Sequence, residues 1–198
     1  MPYSFAVPTQ RPLRADTERT ITAILGAAEQ LLSGDPAATM EQIAEAAGVA
    51  RTTVHRRFAT REALIDALAV SAVRRVGAAV EDARPDTAPP LVALYQMTVN
   101  ILGAKAGWGF AMSRASGANP EVARIFGVLM DTCARLFLRA RDAGLLRADV
   151  DIAWTCRVYH ALLHEAAPLS GGKGIDEVAT LVVETLLRGA GTARPDRL

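Results

Sequence analysis

The sequence predicts an all-α protein, and three observations carry that prediction. Alanine- and leucine-rich segments recur with apolar residues three and four apart. Alternation of β-branched residues over more than four positions is nearly absent, and Gly or Pro separates one segment from the next. The chain has 198 residues, 51% of them hydrophobic. That suffices for one domain of ordinary size, or a small module joined to a larger one. Apolar runs are broken long before the roughly 18 to 20 residues that a membrane span needs, so a soluble chain with no membrane partner is expected.

The amino-terminal "MPYSFAVPTQRPLR" has no basic region ahead of its apolar patch and does not resemble an export signal. Residues 1–13 read as a flexible arm. A first helix is expected over 17–33, capped by Asp16, with Ile21, Ile24, Leu25, Ala28, Leu31 and Leu32 on one face; Gly34 and Pro36 stop it. Thr39 and Gln42 have capping-box spacing and open a helix of about eight residues that ends at Gly48. A second short helix follows, with Val54 and Phe58 four apart and facing one core. Thr60 restarts the chain as a longer helix to about residue 83, and "ARPDTAPP" makes 84–90 a loop. Further helices are expected over 91–102, 106–114, 120–143, 152–167 and 175–188, with Pro120 in a first turn and Gly144 at a helix end. Cys133 and Cys156 are too few for a disulfide framework and fit a reducing cytoplasm, where both read as small buried hydrophobes.

Charge is balanced globally, 22 basic against 21 acidic residues, but not locally. "AGVARTTVHRRFATRE" holds four arginines and a histidine, with no acid before its last residue. Two short helices joined by a glycine turn and packed on a first helix make a helix-turn-helix. At about 100° per residue, Val54 and Phe58 point inward and Arg51, Thr52, His55 and Arg56 share an exposed arc. These four are the expected base-contacting residues, because arginine can reach both guanine acceptors in the major groove. Thr39, Thr53, Arg57 and Arg61 are expected at phosphates. An isolated charge run is ordinarily a solvated face; here the capped helix, glycine turn and apolar pair frame it, and point to double-stranded DNA.

The stretch "TMEQIAEAAGVARTTVHRRFATREALIDAL", with "ILGAAEQLL" before it, resembles the DNA-binding signature of the TetR (tetracycline-repressor) family of bacterial transcription regulators. The resemblance covers about residues 23–68. It implies a homodimer in which a helix-turn-helix domain, 14–60, is joined by a connecting helix, 61–83, to a larger helical-bundle domain, 84–198, that binds a small effector and dimerises. Repression is the family's usual mode, on a palindromic operator, with no cofactor, in the cytoplasm. Three departures stand out. Ala50 replaces the usual Ser or Thr cap, which costs about 1 kcal/mol. His55 replaces the usual tyrosine and Arg57 the usual histidine, and with His55 some pH sensitivity of DNA affinity is expected.

The segment 152–167 is apolar almost all the way round, and 175–188 carries a stripe of Val178, Leu181, Val182 and Leu186. The resemblance implies that these two helices form the dimer interface, with Tyr159 and Leu163 joining the stripe; an ordinary core pair is the alternative. Candidate effector-pocket residues are Tyr95, Met97, Trp108, Phe110, Met112, Phe126, Met130, Phe137, Trp154 and His160, apolar or aromatic with one polar group, although most such residues are plain core. Cys156, His160 and His164 stand four apart and offer zinc-type donors, but the first and last lie about 12 Å apart along the axis, so the expectation is no metal. Neither a nucleophile elbow, a phosphate-cradling glycine loop nor HExxH occurs, which argues against an enzyme. Control by a protein partner, or by no effector, stays open, as do a helical-bundle enzyme and a metal-responsive sensor.

Overall fold

A computed structural model describes residues 11–104, 119–172 and 174–190. Within them lie eight α-helices and a short 3₁₀ turn, and no strand. The helices are α1 (Arg11–Gly34), α2 (Met40–Ala46), α3 (Arg51–Arg57), α4 (Arg61–Asp82), α5 (Pro90–Ala104), α6 (Pro120–Asp142), α7 (Ile152–Ala166) and α8 (Ile175–Ala190); the 3₁₀ turn, Ala167–Gly171, follows α7. The all-α expectation holds. The expected helix at 106–114 lies outside the described residues. Two compact units divide between Leu68 and Ala69, inside α4.

In the first unit α1 begins earlier than its expected cap, running through Asp16 from Arg11. Asp16 instead accepts through its carbonyl from Thr20 and pairs with Arg19 at 3.4 Å. The capping box at α2 forms as expected: Gln42 N–H donates to Thr39 Oγ1 at 3.3 Å, and Thr39 N–H to Gln42 Oε1 at 2.7 Å. Gly48, at φ +65°, closes α2, with its own N–H on Glu45 O and that of Val49 on Ala44 O. Only glycine takes that backbone cheaply. Ile24, Ala28, Leu32, Ile43, Val54, Phe58 and Leu64 form the buried centre of this unit.

The second unit is a bundle whose core takes Val73, Val76 and Val80 from α4, Leu94, Met97 and Ile101 from α5, Leu136 and Phe137 from α6, Tyr159 and Leu163 from α7, and Val178, Val182 and Leu186 from α8. Asn119 caps α6 by accepting from Glu121 and Val122 N–H, and Asp151 caps α7 by accepting from Trp154 N–H. The expected loop after α4 is pinned from α6. Arg135 forms a two-pronged pair with Asp86 at 3.1 and 3.3 Å, and Arg139 donates to the carbonyls of Pro85 and Ala88.

Candidate nucleic-acid interface and ligand cavity

The basic face is built by α3. Its first residue follows Ala50, which provides no side-chain cap, so two buried anchors hold the helix: Val54, fully enclosed, and Phe58 just past its end. Anchoring that side leaves Arg51, Thr52, His55 and Arg56 exposed, while Thr53 and Arg57 are half-buried.

These basic residues are not equivalent. Arg51 pairs with Glu41 of α2 at 2.7 Å, and its Nε–H donates to His55 Nε2 at 3.4 Å. The Glu41 carboxyl lies below its ordinary pKa, first through its own backbone N–H in the opening turn of α2, then through Arg51. Arg56 has no partner among the described residues. Arg57 points back into the unit, donating to Thr17 Oγ1 at 3.0 Å, with its Nε buried and unpaired. Arg61 donates to the carbonyls of Ala38 and Pro36 and so closes the connection between α1 and α2. Arg57 and Arg61, expected at phosphates, are thus hydrogen-bonded within the unit. Carbonyls of the α1–α2 connection take up the Arg61 donors, and the Thr17 hydroxyl of α1 takes up that of Arg57. Thr39 and Thr53 remain at the starts of α2 and α3.

A second candidate site lies inside the larger unit. An apolar cavity of about 30 Å³ is walled by Val76 and Val80 of α4, Ile101 of α5, Phe126, Leu129, Met130 and Cys133 of α6, and Tyr159, His160 and Leu163 of α7. Phe126, Met130 and His160 were expected in a pocket. The Phe126 ring meets His160 edge-on, with centroids 5.3 Å apart. Met97 and Phe137 are instead fully buried outside the cavity wall, Phe137 edge-on to Tyr159 at 5.5 Å. Tyr95 directs its hydroxyl to Asp176 Oδ1 at 3.3 Å. Trp154, 63% exposed, is no pocket residue: its place in the first turn of α7 turns the indole outward. Trp108, Phe110 and Met112 lie outside the described residues.

Tyr159 and Leu163, expected at a dimer interface, line this cavity, and Val178, Val182 and Leu186 are enclosed by the chain's own helices; only Leu181 of that set is exposed, at 49%. These five are buried within the chain's own fold. A helical apolar stripe fits burial by the same chain as well as by a second one. Thr98, which sequence reading missed, shares a buried hydrogen bond of 2.9 Å with the Tyr159 hydroxyl and donates to Leu94 O at 2.7 Å. Burial raises the Tyr159 pKa, and it pushes the Cys133 thiol up to about 12, helped by Cys156. Cys156 is buried and His164 exposed; among the described residues no three His, Cys, Asp or Glu side chains gather to hold a metal ion. Nor is any described helix long and apolar enough to cross a membrane.

Residues 24–68 match the family of bacterial regulatory proteins described as the tetR family. The chain is 35% identical over 154 residues to the HTH-type transcriptional repressor LfrR of Mycolicibacterium smegmatis, covering 76% of this chain and 80% of that protein. Among solved structures it is similar to the TetR-like regulator LfrR from Mycobacterium smegmatis in complex with proflavine, at 29% identity and a TM-score of 0.73, covering 89% of this chain and 99% of that one. The TetR family regulator PfmR from Thermus thermophilus, at 21% identity, shares the fold with a TM-score of 0.72 over 86% of this chain and 99% of its own.

Proposed function

This chain belongs to the TetR family of bacterial regulatory proteins, and from that premise we propose that it is a ligand-responsive repressor, a homodimer that holds a palindromic operator until a small, largely apolar effector releases it. The observation that carries the reading is the outer face of α3, where Arg56 has no internal partner among the described residues and stands beside Arg51, Thr52 and His55. Arg56 reads a guanine edge, and Thr52 and His55 make shorter contacts. Arg51 exchanges Glu41 for a base, at small cost because an exposed ion pair contributes little. Thr39 and Thr53 contact phosphates, while Arg57 and Arg61 brace the unit from within. Two such faces about 34 to 36 Å apart meet successive major grooves.

The surface on which two copies join is the outer side of α7 and α8: Trp154 and Ala161, half-buried Val158 and Leu162, and Leu181. That apolar face is left uncovered by a single chain. Release follows from α4, one unbroken helix that carries Arg61 at its start and Val76 and Val80 in the cavity wall. An occupant that displaces those valines biases the helix. Shifting the population from 1:99 to 99:1 takes about 5.5 kcal/mol of differential affinity. The proflavine complex of LfrR supports a small-molecule effector. The narrowness of the cavity favours a second reading, control by a protein partner or by no effector.

Fluorescence anisotropy on a labelled duplex from upstream of this protein's own coding sequence tests the proposal. Tight, salt-steep binding that loses selectivity in Arg56→Ala supports it. Equal, weak binding to scrambled DNA by both proteins contradicts it.

A further inference from the structure

We propose that the outer face of α4 and α6 in the second unit binds the same face of a second copy of this chain, with the helices of the two copies antiparallel. This surface is separate from the α7–α8 face and the inference does not rest on that contact.

The two helices carry the same spacing of charge. On α4, Arg74 and Glu81 stand seven residues apart with Gly77 and Ala78 midway; on α6, Arg124 and Asp131 stand seven apart with Gly127 and Val128 midway. Seven residues return a helix to nearly the same face about 10 Å further along, and all four charged side chains are exposed. The helices run side by side in one direction. Arg74 meets Glu121 in the first turn of α6 at 3.1 Å, and Asp86, just past α4, meets Arg135 further along α6 at 3.1 Å. Both cations therefore lie at one end of the face and both acids at the other.

Between those ends runs a groove of about 300 Å³. Val80 and Leu129 form its buried floor with half-buried Ile125, and Ala78 and Val128 form its rim, Val128 being 53% exposed. A Cβ added at Gly77 or Gly127 would meet nothing within 4 Å, so the middle of each helix stands open to close approach. At the cationic end Glu121 accepts from Arg74 and twice from Arg124, at 3.0 to 3.1 Å, which offsets one of the two positive charges. Each guanidinium has five N–H groups, so donors remain there. At the acidic end the Glu81 carboxylate has no hydrogen bond or ion pair among the described residues, and Asp131 lies near Arg135, whose own hydrogen bonds go to Asp86 and Thr132.

Charge complementarity selects the occupant. An identical face laid on in parallel would set cation against cation and acid against acid. Turned end for end about a two-fold axis level with Gly77 and Gly127, it sets Arg74 and Arg124 of each copy against Glu81 and Asp131 of the other. Ala78 and Val128 of both copies then meet at the axis. The contact is isologous, so every pair forms twice. The apolar middle supplies affinity, and the charges fix direction and register.

Sedimentation equilibrium of the full chain at several concentrations tests this. The native chain should form a species of at least twice the mass found for Glu81→Arg or Arg74→Glu at the same concentration, because each substitution sets like charges together and weakens the contact roughly 10-fold or more. An equimolar mixture of the two variants should regain the native mass, since each supplies the charge the other has lost. Val128→Glu should dissociate the species as well. These side chains are exposed, so the variants should melt close to the native chain. A native mass equal to that of Glu81→Arg at every concentration overturns the proposal and leaves the face to another kind of occupant. Association that survives both charge variants belongs to a different surface and overturns it. A mixture that stays as small as its components overturns the antiparallel pairing on which the proposal stands. In each of these cases the operator reading is untouched.

Discussion

The two units of this chain use their polar side chains in opposite ways. In the first, up to Leu68, the centre is purely apolar, and guanidinium groups are divided between two tasks: Arg57 and Arg61 are turned inward onto a hydroxyl and two carbonyls, whereas Arg56 is left to solvent. In the second, from Ala69, Thr98, Tyr159, Cys133, Cys156 and His160 are buried or half-buried together, and arginines from α6 tie down the loop after α4. One unit displays charge on its surface; the other hides weak polarity around a small apolar cavity. The difference suits a surface that meets a polyanion and an interior that meets a mostly apolar molecule.

The comparison is challenged most strongly in the interior of the second unit. Phe137→Ala should cost about 3 to 5 kcal/mol in urea unfolding, because the ring is fully enclosed and loses its edge contact with Tyr159. A loss below about 1 kcal/mol would mean that the core is looser than its burial implies. A smaller effect is expected where the first unit lacks a cap. Ala50→Ser should add about 1 kcal/mol of stability by accepting from an open N–H at the start of α3. No change in melting temperature would show that Val54 and Phe58 already fix that end.

The smallest effect concerns Glu121. Arg124 and then Arg74 lower its carboxyl from 4.5 to about 2, so the folded state binds its proton less readily than the unfolded chain. Its contribution is present above pH 4.5 and is lost as pH falls toward 2. Glu121→Gln should flatten the acid limb of the stability profile in that window and leave neutral pH little changed, since the group is solvent-accessible and screened. An unaltered acid limb would show the pairs to be without energetic weight.

How much of this was legible depends on where the signal resides. The helix-turn-helix was readable because its determinants are local: a capping box at Thr39, a left-handed glycine at Gly48, and Val54 and Phe58 four apart. The exposure of Arg51, Thr52, His55 and Arg56 follows from the same geometry. Whether an exposed arginine is idle, paired or bound back into the fold does not. Arg57 reaches Thr17 forty residues away, and no periodicity encodes that contact. In the second unit the helices were legible from Pro120, Gly144 and their apolar spacing. Whether the chain's own helices or a partner cover Tyr159, Leu163, Val178, Val182 and Leu186 is not legible there, since a stripe records burial and not by whom. Trp154 shows the converse, an aromatic residue with the composition of a pocket and the position of a surface.

The most direct test of the account is the salt dependence of operator-duplex affinity for the native chain, Arg56→Ala and Arg57→Ala, measured with their melting temperatures. The account predicts that Arg56→Ala retains its melting temperature but loses discrimination against scrambled DNA. Arg57→Ala should melt lower while keeping the native slope of log affinity against log salt. A slope reduced by about 1 in Arg57→Ala at unchanged melting temperature, with Arg56→Ala indistinguishable from the native chain, would contradict the division between reading and bracing arginines.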